Sequence, residues 1–384
     1  MESESLSVRI NGVLPDVDSD EPNTSISIFH GGFHLLVDAG NNVANSLAKG
    51  GSGKKTPDAV LITNPRKQHI SNLPDIAKDN VKVYCTKECG DLIAKELPNW
   101  RGSPVVVAPG TQFEVGPFSV TPIAAENSGD VAGAAGSVIY VIKAGERKLV
   151  AAWDFLTLPN ANENLLWNPD IIVLGTETYN EHPSTGMISV SEAYNLVRRW
   201  NAKTSYLLHY SGEKDREDAK NQWHRGPEGP LSPEALQAAV DDHLKVSGAE
   251  GKFVMYVAKP GMEWVPEQVQ EDLGEIGPRI EVDALDRHSL AIEKVDGGKV
   301  AITIEDSINR MITEFANPKL QGQSLHAEAL KSMMLKGPEL QLAIAGNSVR
   351  IDIAKGKKTM FAGELKVTER DSKRLSRYLA ENFK

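Results

Sequence analysis

Residues Ser25–Gly40 read SISIFHGGFHLLVDAG, and this stretch decides the fold. Apolar and polar side chains alternate before the pair Gly31-Gly32, and an apolar run follows it. Alternation with a period of two indicates a half-buried strand, and two glycines between two such runs indicate a tight hairpin turn. Asp38-Ala39-Gly40 then ends the second strand in a turn. The stretch therefore predicts a β-hairpin within a sheet.

Strands alternate with helices in two successive sets downstream of this hairpin. Asp58–Thr63 is a short buried strand that leads into a loop and a helix, and Asp170–Leu174 is an apolar strand of the second set. The second set also contains a helix over Ser189–Trp200, where Ser189 and Glu192 have the spacing of a capping box. Two sets of strands with helices outside them predict an α/β fold, a four-layer α/β/β/α sandwich.

The length of 384 residues suits two domains better than one. The acidic segment Glu263–Pro278 contains two prolines and two glycines, which is typical of a linker. We therefore predict a large domain over 1–266, a linker over 267–278 and a small C-terminal α+β domain over 279–384. In the small domain we predict a helix over Ser324–Leu335, a last helix after Thr368, and five strands, namely Arg279–Ala284, Leu290–Val295, Lys299–Ile304, Leu340–Ala345 and Ser348–Ala354.

Composition limits the class of protein. The net charge of −10 argues against a broad nucleic-acid-binding surface, and no apolar run approaches the length needed to cross a bilayer. The only cysteines, Cys85 and Cys89, cannot form a disulfide framework, so we expect a cytoplasmic protein. There is no Gly-rich phosphate loop of the P-loop type and no Gly-x-Ser-x-Gly motif of a serine hydrolase.

Several segments resemble, in register, the metallo-β-lactamase superfamily, in particular its branch of tRNase-Z-like and small phosphodiesterase enzymes. The resemblance covers about residues 5–266, and the last hundred residues lie outside it. It implies the four-layer fold and a two-metal hydrolytic site. The matching segments are Ser25–Ile28, Leu35–Gly40, Asp58–Thr63, Glu126–Ser128, Leu149–Asp154, His182–Gly186, Leu207–Gly212 and Val257–Met262.

The metal-binding motif of that family departs from its pattern here. The family has Thr-His-x-His-x-Asp-His where this chain has Thr63-Asn64-Pro65-Arg66-Lys67-Gln68-His69, so only the last histidine remains. The family has a further histidine where this chain has Asn127, and it often has another after Gly186, where this chain has Met187. The bridging aspartate corresponds to Asp154 and the late histidine to His209. The resemblance therefore implies that most of the two-metal site is lost.

Two states of this site follow from its chemistry. An amide is a poor ligand for zinc and a guanidinium cannot be deprotonated, so the first metal position should be empty. His69, Asp154 and His209 could still hold one divalent transition metal, zinc, iron or manganese, with open positions for water. Alternatively no cofactor is bound, Arg66 forms an ion pair with Asp154, and the two histidines are hydrogen-bonded residues of a pocket.

Three functional hypotheses follow. In the first, the chain is a non-catalytic descendant that binds a small-molecule ligand or a partner protein in the old cleft. In the second, a single-metal hydrolase cleaves a small ester or phosphodiester, with Arg66 stabilising the substrate oxyanion and His182 acting as a general acid or phosphate contact. In the third, an accessory factor assists nucleic-acid processing, although the acidic charge balance argues against it. The sequence leaves an oligomer open.

Overall fold

A computed structural model gives the arrangement of the chain. It describes residues 6–383 except 16–19, 51–54, 79, 128–134, 160, 219–228, 250–252, 267–276, 285–287, 307–309, 330–338 and 356–357. The chain divides into two compact units, Met1–Gln268 and Val269–Lys384. Most of the proposed linker, 267–278, lies outside the described residues.

The first unit contains two sheets of seven strands each. Its strands are β1 Ser7–Gly12, β2 Ser25–His30, β3 Phe33–Val37, β4 Ala59–Leu61, β5 Lys82–Cys85, β6 Val105–Val106, β7 Phe113–Val115, β8 Phe118–Ala124, β9 Val138–Ala144, β10 Arg147–Ala152, β11 Ile171–Gly175, β12 Thr204–Leu208, β13 Val254–Val257 and β14 Glu263–Trp264. Its helices are α1 Val43–Lys49, α2 Lys67–Ile70, α3 Leu73–Ile76, α4 Lys87–Glu96, α5 Glu163–Leu166, α6 Val190–Arg199, α7 Glu213–Asp218 and α8 Pro233–Val246.

The first sheet has the order β14-β1-β2-β3-β4-β5-β6. β2 and β3 form the predicted hairpin, and Gly31 and Gly32 at its turn have φ angles of 60° and 69°. A two-residue turn with positive φ at both central positions matches the twist of the strands it connects. Glycine adopts positive φ without strain. From β3 to β6 the strands are parallel, so their carboxyl ends lie at one edge of the sheet.

The second sheet has the order β13-β12-β11-β10-β9-β8-β7. Its strands are antiparallel from β7 to β10 and parallel from β10 to β13. The parallel strands are continuous apolar runs, and Ile171–Gly175 is buried at every position. Such runs are expected where both faces of a sheet are covered.

Three apolar clusters define the layers of this unit. One is made of inward residues of both sheets, such as Ile28 and Leu35 from the first and Phe118 and Val173 from the second. The second lies between the first sheet and helices α1 to α4, and the third lies between the second sheet and helices α6 and α8. The predicted α/β/β/α sandwich is therefore confirmed. The predicted capping box of α6 is present, with the Ser189 hydroxyl accepting from the Glu192 amide at 3.2 Å.

The second unit is an eight-stranded antiparallel sheet with strands in chain order. Its apolar core lies against one long helix through Leu375, Tyr378 and Leu379. The elements are β15 Arg279–Asp283, β16 Ser289–Val295, β17 Lys299–Glu305, β18 Arg310–Gln321, β19 Ser324–Ala329, β20 Glu339–Ala345, β21 Ser348–Lys355, β22 Lys358–Lys366 and α9 Glu369–Asn382.

The helix predicted over Ser324–Leu335 is wrong in its described part. Residues Ser324–Ala329 form β19, which pairs with β18 and β20, and residues 330–335 lie outside the described residues. Leu325 and Ala327 are buried whereas Glu328 is exposed, so a period of two is present. Pairing on both sides outweighs the helix propensity of the alanines and of Glu328. No helix in the described part of the chain is long and apolar enough to span a bilayer.

Candidate functional site

Charged and polar residues meet where strands of both sheets end. Asp38 comes directly after β3 and His209 directly after β12, and Asp154 is the second residue after the end of β10. His69 lies in the short helix α2, which follows β4. All four side chains are almost completely buried. Ligand sites of α/β folds lie at the carboxyl ends of strands, and here the two sheets bring their ends together.

Asp38 accepts hydrogen bonds from four groups. Its Oδ1 accepts from the Thr63 amide at 2.8 Å, and its Oδ2 accepts from the Thr63 hydroxyl at 2.6 Å. Oδ2 also lies 2.7 Å from Nε1 of Trp153 and 2.7 Å from Nδ1 of His69. A buried carboxylate needs such donors to remain charged. Asp38 is thereby held in one position against the ring of His69.

His69 lies between two carboxylates. Its Nδ1 faces Oδ2 of Asp38 at 2.7 Å, and its Nε2 faces Oδ2 of Asp154 at 2.5 Å. Burial opposes a charge on the ring, but the carboxylates of Asp154 and Asp38 outweigh it and raise the pKa of His69 to about 9. The ring is therefore an imidazolium at neutral pH, with both nitrogens acting as donors.

Three nitrogen groups converge on one oxygen of Asp154. Oδ2 accepts from Nδ2 of Asn64 at 2.6 Å and from Nε2 of His69, and it forms an ion pair with Nη2 of Arg66. The Arg66 amide in turn donates to Oδ1 of Asn64 at 2.9 Å. Burial opposes the charge on Asp154, but His209, His69 and Arg66 together hold the pKa of this carboxyl well below its usual range.

His209 takes a different protonation state from His69. Burial lowers the pKa of His209 to about 4. The negative charge of Asp154 opposes this shift, whereas the positive charges of His69 and Arg66 add to it. Its Nε2 lies 3.2 Å from Oδ1 of Asp154, and its ring stacks on His69 with centroids 6.1 Å apart. Neither ring nitrogen of His209 has a hydrogen-bond partner among the described residues.

The backbone at this site adopts an uncommon conformation. Asp38, Asp154 and His209 have φ angles of 62°, 58° and 68°. Non-glycine residues rarely adopt positive φ, and such positions cluster at functional sites. The three turns aim their side chains towards one another across the edges of the two sheets.

The cluster can be tested against the metals that its residue types suggest. Ligand atoms of His69, Asp154 and His209 all lie within 4.8 Å of one another, which allows one metal ion. The other two polar groups at Asp154 are the amide of Asn64 and the guanidinium of Arg66, which are poor ligands for such an ion. In the described arrangement both nitrogens of His69 face carboxylates and Arg66 occupies Oδ2 of Asp154. These groups fit a network of ion pairs better than a metal centre.

The structure brings together most of the residues that the sequence singles out. Arg66, His69, Asp154 and His209 form one cluster, and Arg66 pairs with Asp154. His182 lies in the loop before α6 and accepts from the amide of Ser184 at 3.1 Å within its own turn.

Asn127 is partly buried, and neither of its amide atoms has a partner among the described residues.

Asp38, Thr63 and Trp153 belong to the cluster but were not among the predicted site residues. The signal for Asp38 is its position directly after an apolar strand, where Asp-Ala-Gly indicates only a turn. Nothing in the sequence pairs Trp153 or Thr63 with Asp38, since these contacts join segments far apart in the chain.

Comparisons with known proteins agree with this fold. Residues 34–210 match the family model described as a beta-lactamase superfamily domain. No curated protein sequence matches the chain. The metallo-beta-lactamase fold protein YhfI from Bacillus subtilis is 17% identical, with a TM-score of 0.51, and the match covers 68% of this chain and 100% of that one. At this identity the likeness shows the fold alone.

Two further solved structures are similar over the same part of the chain. A diphosphatase of the PhnP family is 14% identical with a TM-score of 0.47, and the match covers 68% of this chain and 97% of that one. Human tRNase Z, short form, is 12% identical with a TM-score of 0.47, and the match covers 68% of this chain and 99% of that one. Residues 34–210 are therefore identified as a beta-lactamase superfamily domain.

Proposed function

We propose that the N-terminal domain is a metal-free, non-hydrolytic member of its superfamily that binds a small-molecule ligand or a partner protein in the cleft. One observation carries the proposal: Oδ2 of Asp154 is bonded at once to Asn64, Arg66 and His69. This oxygen is the group that a metal in the cleft would need. Three N–H donors already occupy it.

The charges of the cluster support the same conclusion. Asp38 and Asp154 supply two negative charges, and His69 and Arg66 supply two positive charges. A divalent cation at this position would meet both cations, with a repulsion of roughly 4 kcal/mol per pair of unit charges at 4 Å and an effective dielectric constant of about 20. The network is balanced without a metal.

Unused hydrogen-bonding groups support a role in binding. Nε of Arg66 and Nδ1 of His209 are buried and make no hydrogen bond to a described residue, and Nε2 of His209 only faces Oδ1 of Asp154 at 3.2 Å. Buried polar groups are nearly always hydrogen-bonded in proteins, to protein, water or ligand. A ligand with polar groups would satisfy them, and an ester that is bound without being cleaved is one such ligand.

The test is a panel of carboxylic esters, phosphomonoesters and phosphodiesters, measured with and without added zinc, manganese or iron. The matched control is His209→Ala, because this side chain makes no hydrogen bond that the fold needs. We expect no turnover by either protein beyond the metal-only background. The same esters serve as binding probes, and those that bind should raise the Tm of the wild type more than that of His209→Ala.

Metal-dependent turnover that disappears in His209→Ala would overturn the proposal. It would support a second candidate, a single-metal hydrolase, which one observation favours. Asp38 faces Nδ1 of His69, and metal-binding histidines commonly donate their second ring N–H to a carboxylate in this way. The zinc, iron or manganese ion of that candidate would be held by His69, Asp154 and His209.

A further inference from the structure

Arg66 is the cation of the Asp154 cluster that cannot give up its charge. His69 would bind a metal ion through Nε2 if the ion took the place of the proton that faces Asp154. A guanidinium has no such route, because it stays protonated in proteins and has no lone pair to offer a metal. The cost of placing a divalent ion beside Asp154 therefore depends chiefly on Arg66, whose Nη2 forms an ion pair with Oδ2 of that residue.

Other donor atoms around Asp154 are open. Its second oxygen, Oδ1, is buried and accepts no hydrogen bond from a described residue. Nε2 of His209 faces this oxygen at 3.2 Å, and Nδ1 of the same ring is buried without a partner in the described part of the chain. Donor atoms of His69, Asp154 and His209 all lie within 4.8 Å of one another. Two imidazoles and one carboxylate are thus already gathered as a single metal ion would need them.

The side chain of Arg66 has one polar contact among the described residues. That contact is the ion pair with Asp154, and the buried Nε of the guanidinium has no described partner. The side chain is 21% exposed, whereas that of Asp154 is 1% exposed, so Arg66 is the most accessible member of the cluster. The loop itself is held by the backbone, where the Arg66 amide donates to Oδ1 of Asn64 at 2.9 Å. Replacing the side chain therefore removes one charge and one contact and leaves the loop in place.

We propose that Arg66 keeps a latent one-metal site closed, and that removing its positive charge alone is enough to open it. The opened site would take one divalent transition metal, such as zinc, on His69, Asp154 and His209. The inference rests on the proposed function, since it gives the reason why the unaltered chain stays metal-free. It goes further by assigning the exclusion to one side chain, rather than to the imidazoles that the family motif has and this chain lacks.

The test compares the zinc affinity of the wild type, Arg66→Gln and Lys67→Gln by competition with a chromophoric chelator. Arg66→Gln removes the charge and retains a polar side chain, and its affinity for zinc should rise by at least about tenfold. Lys67→Gln is the matched control. It removes the same charge from the next residue, whose side chain is exposed, and it should bind zinc like the wild type.

A double variant identifies the site that gains the metal. Adding His209→Ala to Arg66→Gln should abolish the gain in zinc affinity, because it removes one of the three ligands. Zinc bound elsewhere, for instance by the thiols of Cys85 and Cys89, would not respond to that substitution. The proposal is overturned if Arg66→Gln binds zinc no more tightly than the wild type. It is equally overturned if the gain survives the removal of the His209 side chain.

Thermal unfolding keeps the test decisive if Arg66→Gln is unstable. Zinc should raise the Tm of Arg66→Gln more than that of the wild type, because a metal that binds the folded site stabilises it by mass action. If the variant is unfolded without metal, zinc should restore the far-UV circular dichroism of the wild type. A variant that stays unfolded in saturating zinc would contradict the proposal.

Failure of this inference differs from failure of the proposed function. A wild type that cleaves an ester with added metal contradicts the proposed function. A wild type without metal, beside an Arg66→Gln variant that takes up no zinc either, contradicts only the role assigned to Arg66.

Discussion

Nε2 of His69 lies 2.5 Å from Oδ2 of Asp154, while Nδ1 of the same ring faces Asp38. Asp38 lies at the end of a strand in the first sheet and Asp154 at the end of a strand in the second. One charged imidazolium thus joins the two sheets where these strands end. The site is therefore part of what holds the two sheets together, whatever else it binds.

This arrangement predicts a specific dependence of stability on pH. The pKa of His69 rises from 6.5 in the unfolded chain to about 9 in the folded one. Its contribution to the free energy of unfolding is therefore fully present below pH 6.5 and is lost as pH rises through 9. At about 1.4 kcal/mol per pKa unit, the loss is on the order of 3 kcal/mol.

Urea unfolding of the wild type and of His69→Gln between neutral and alkaline pH measures this loss. The difference in the free energy of unfolding between the two proteins should shrink as pH rises, because glutamine does not titrate. A difference that stays constant across that range would show that His69 is not charged in the folded protein.

Asp38→Asn should destabilise the fold strongly. The amide keeps the shape of the carboxylate but removes the negative charge beside His69 and places an NH2 group among four donors. Removing one partner of a buried ion pair costs about 3–5 kcal/mol. Chemical denaturation at neutral pH measures the free energy of unfolding.

The matched control is Asp58→Asn. Asp58 is only partly buried, and its carboxylate accepts from the backbone amide of His34 in β3 at 2.9 Å. Its replacement should cost roughly 1 kcal/mol, the usual contribution of one hydrogen bond. Equal losses in the two variants would contradict the role assigned to Asp38.

The fold was predictable wherever apolar periodicity was strong. The β2–β3 hairpin, strand β11 and helix α6 follow from local pattern and turn chemistry. β18 was missed because nearly every second residue of Arg310–Gln321 is exposed and polar, so it has little apolar signal. The local sequence of β19 favours a helix, whereas the strand depends on pairing with β18 and β20, a long-range effect that no local pattern encodes.

The candidate site was predictable only in part, for a related reason. His69, Asp154 and His209 stand at positions where a family pattern indicates ligands, and the Arg66–Asp154 ion pair follows from charge. Asp38 and Trp153 contribute through a contact between residues far apart in the chain, Nε1 of Trp153 to Oδ2 of Asp38 at 2.7 Å. No local pattern encodes that contact.

Placing imidazoles in the loop after β4 should strengthen metal binding. Asn64→His together with Arg66→His removes the ion pair and the amide bond at Oδ2 of Asp154 and supplies two new ligands. Zinc affinity, measured by competition with a chromophoric chelator, should rise by at least about tenfold, the scale of effect that changes around a metal site produce. The control adds His209→Ala to the double variant and should lose part of the gain. Unchanged zinc uptake in the double variant would show that Asn64 and Arg66 do not occupy the positions of the family ligands.

The most direct test is the metal content of the wild-type protein. The chain should be produced in medium supplemented with zinc, iron and manganese, purified without chelators, and analysed by inductively coupled plasma mass spectrometry. A network in which Arg66, Asn64 and His69 share one oxygen of Asp154 predicts less than about a tenth of an equivalent of transition metal per chain. One or more equivalents, lost on replacement of His209 by alanine, would contradict it.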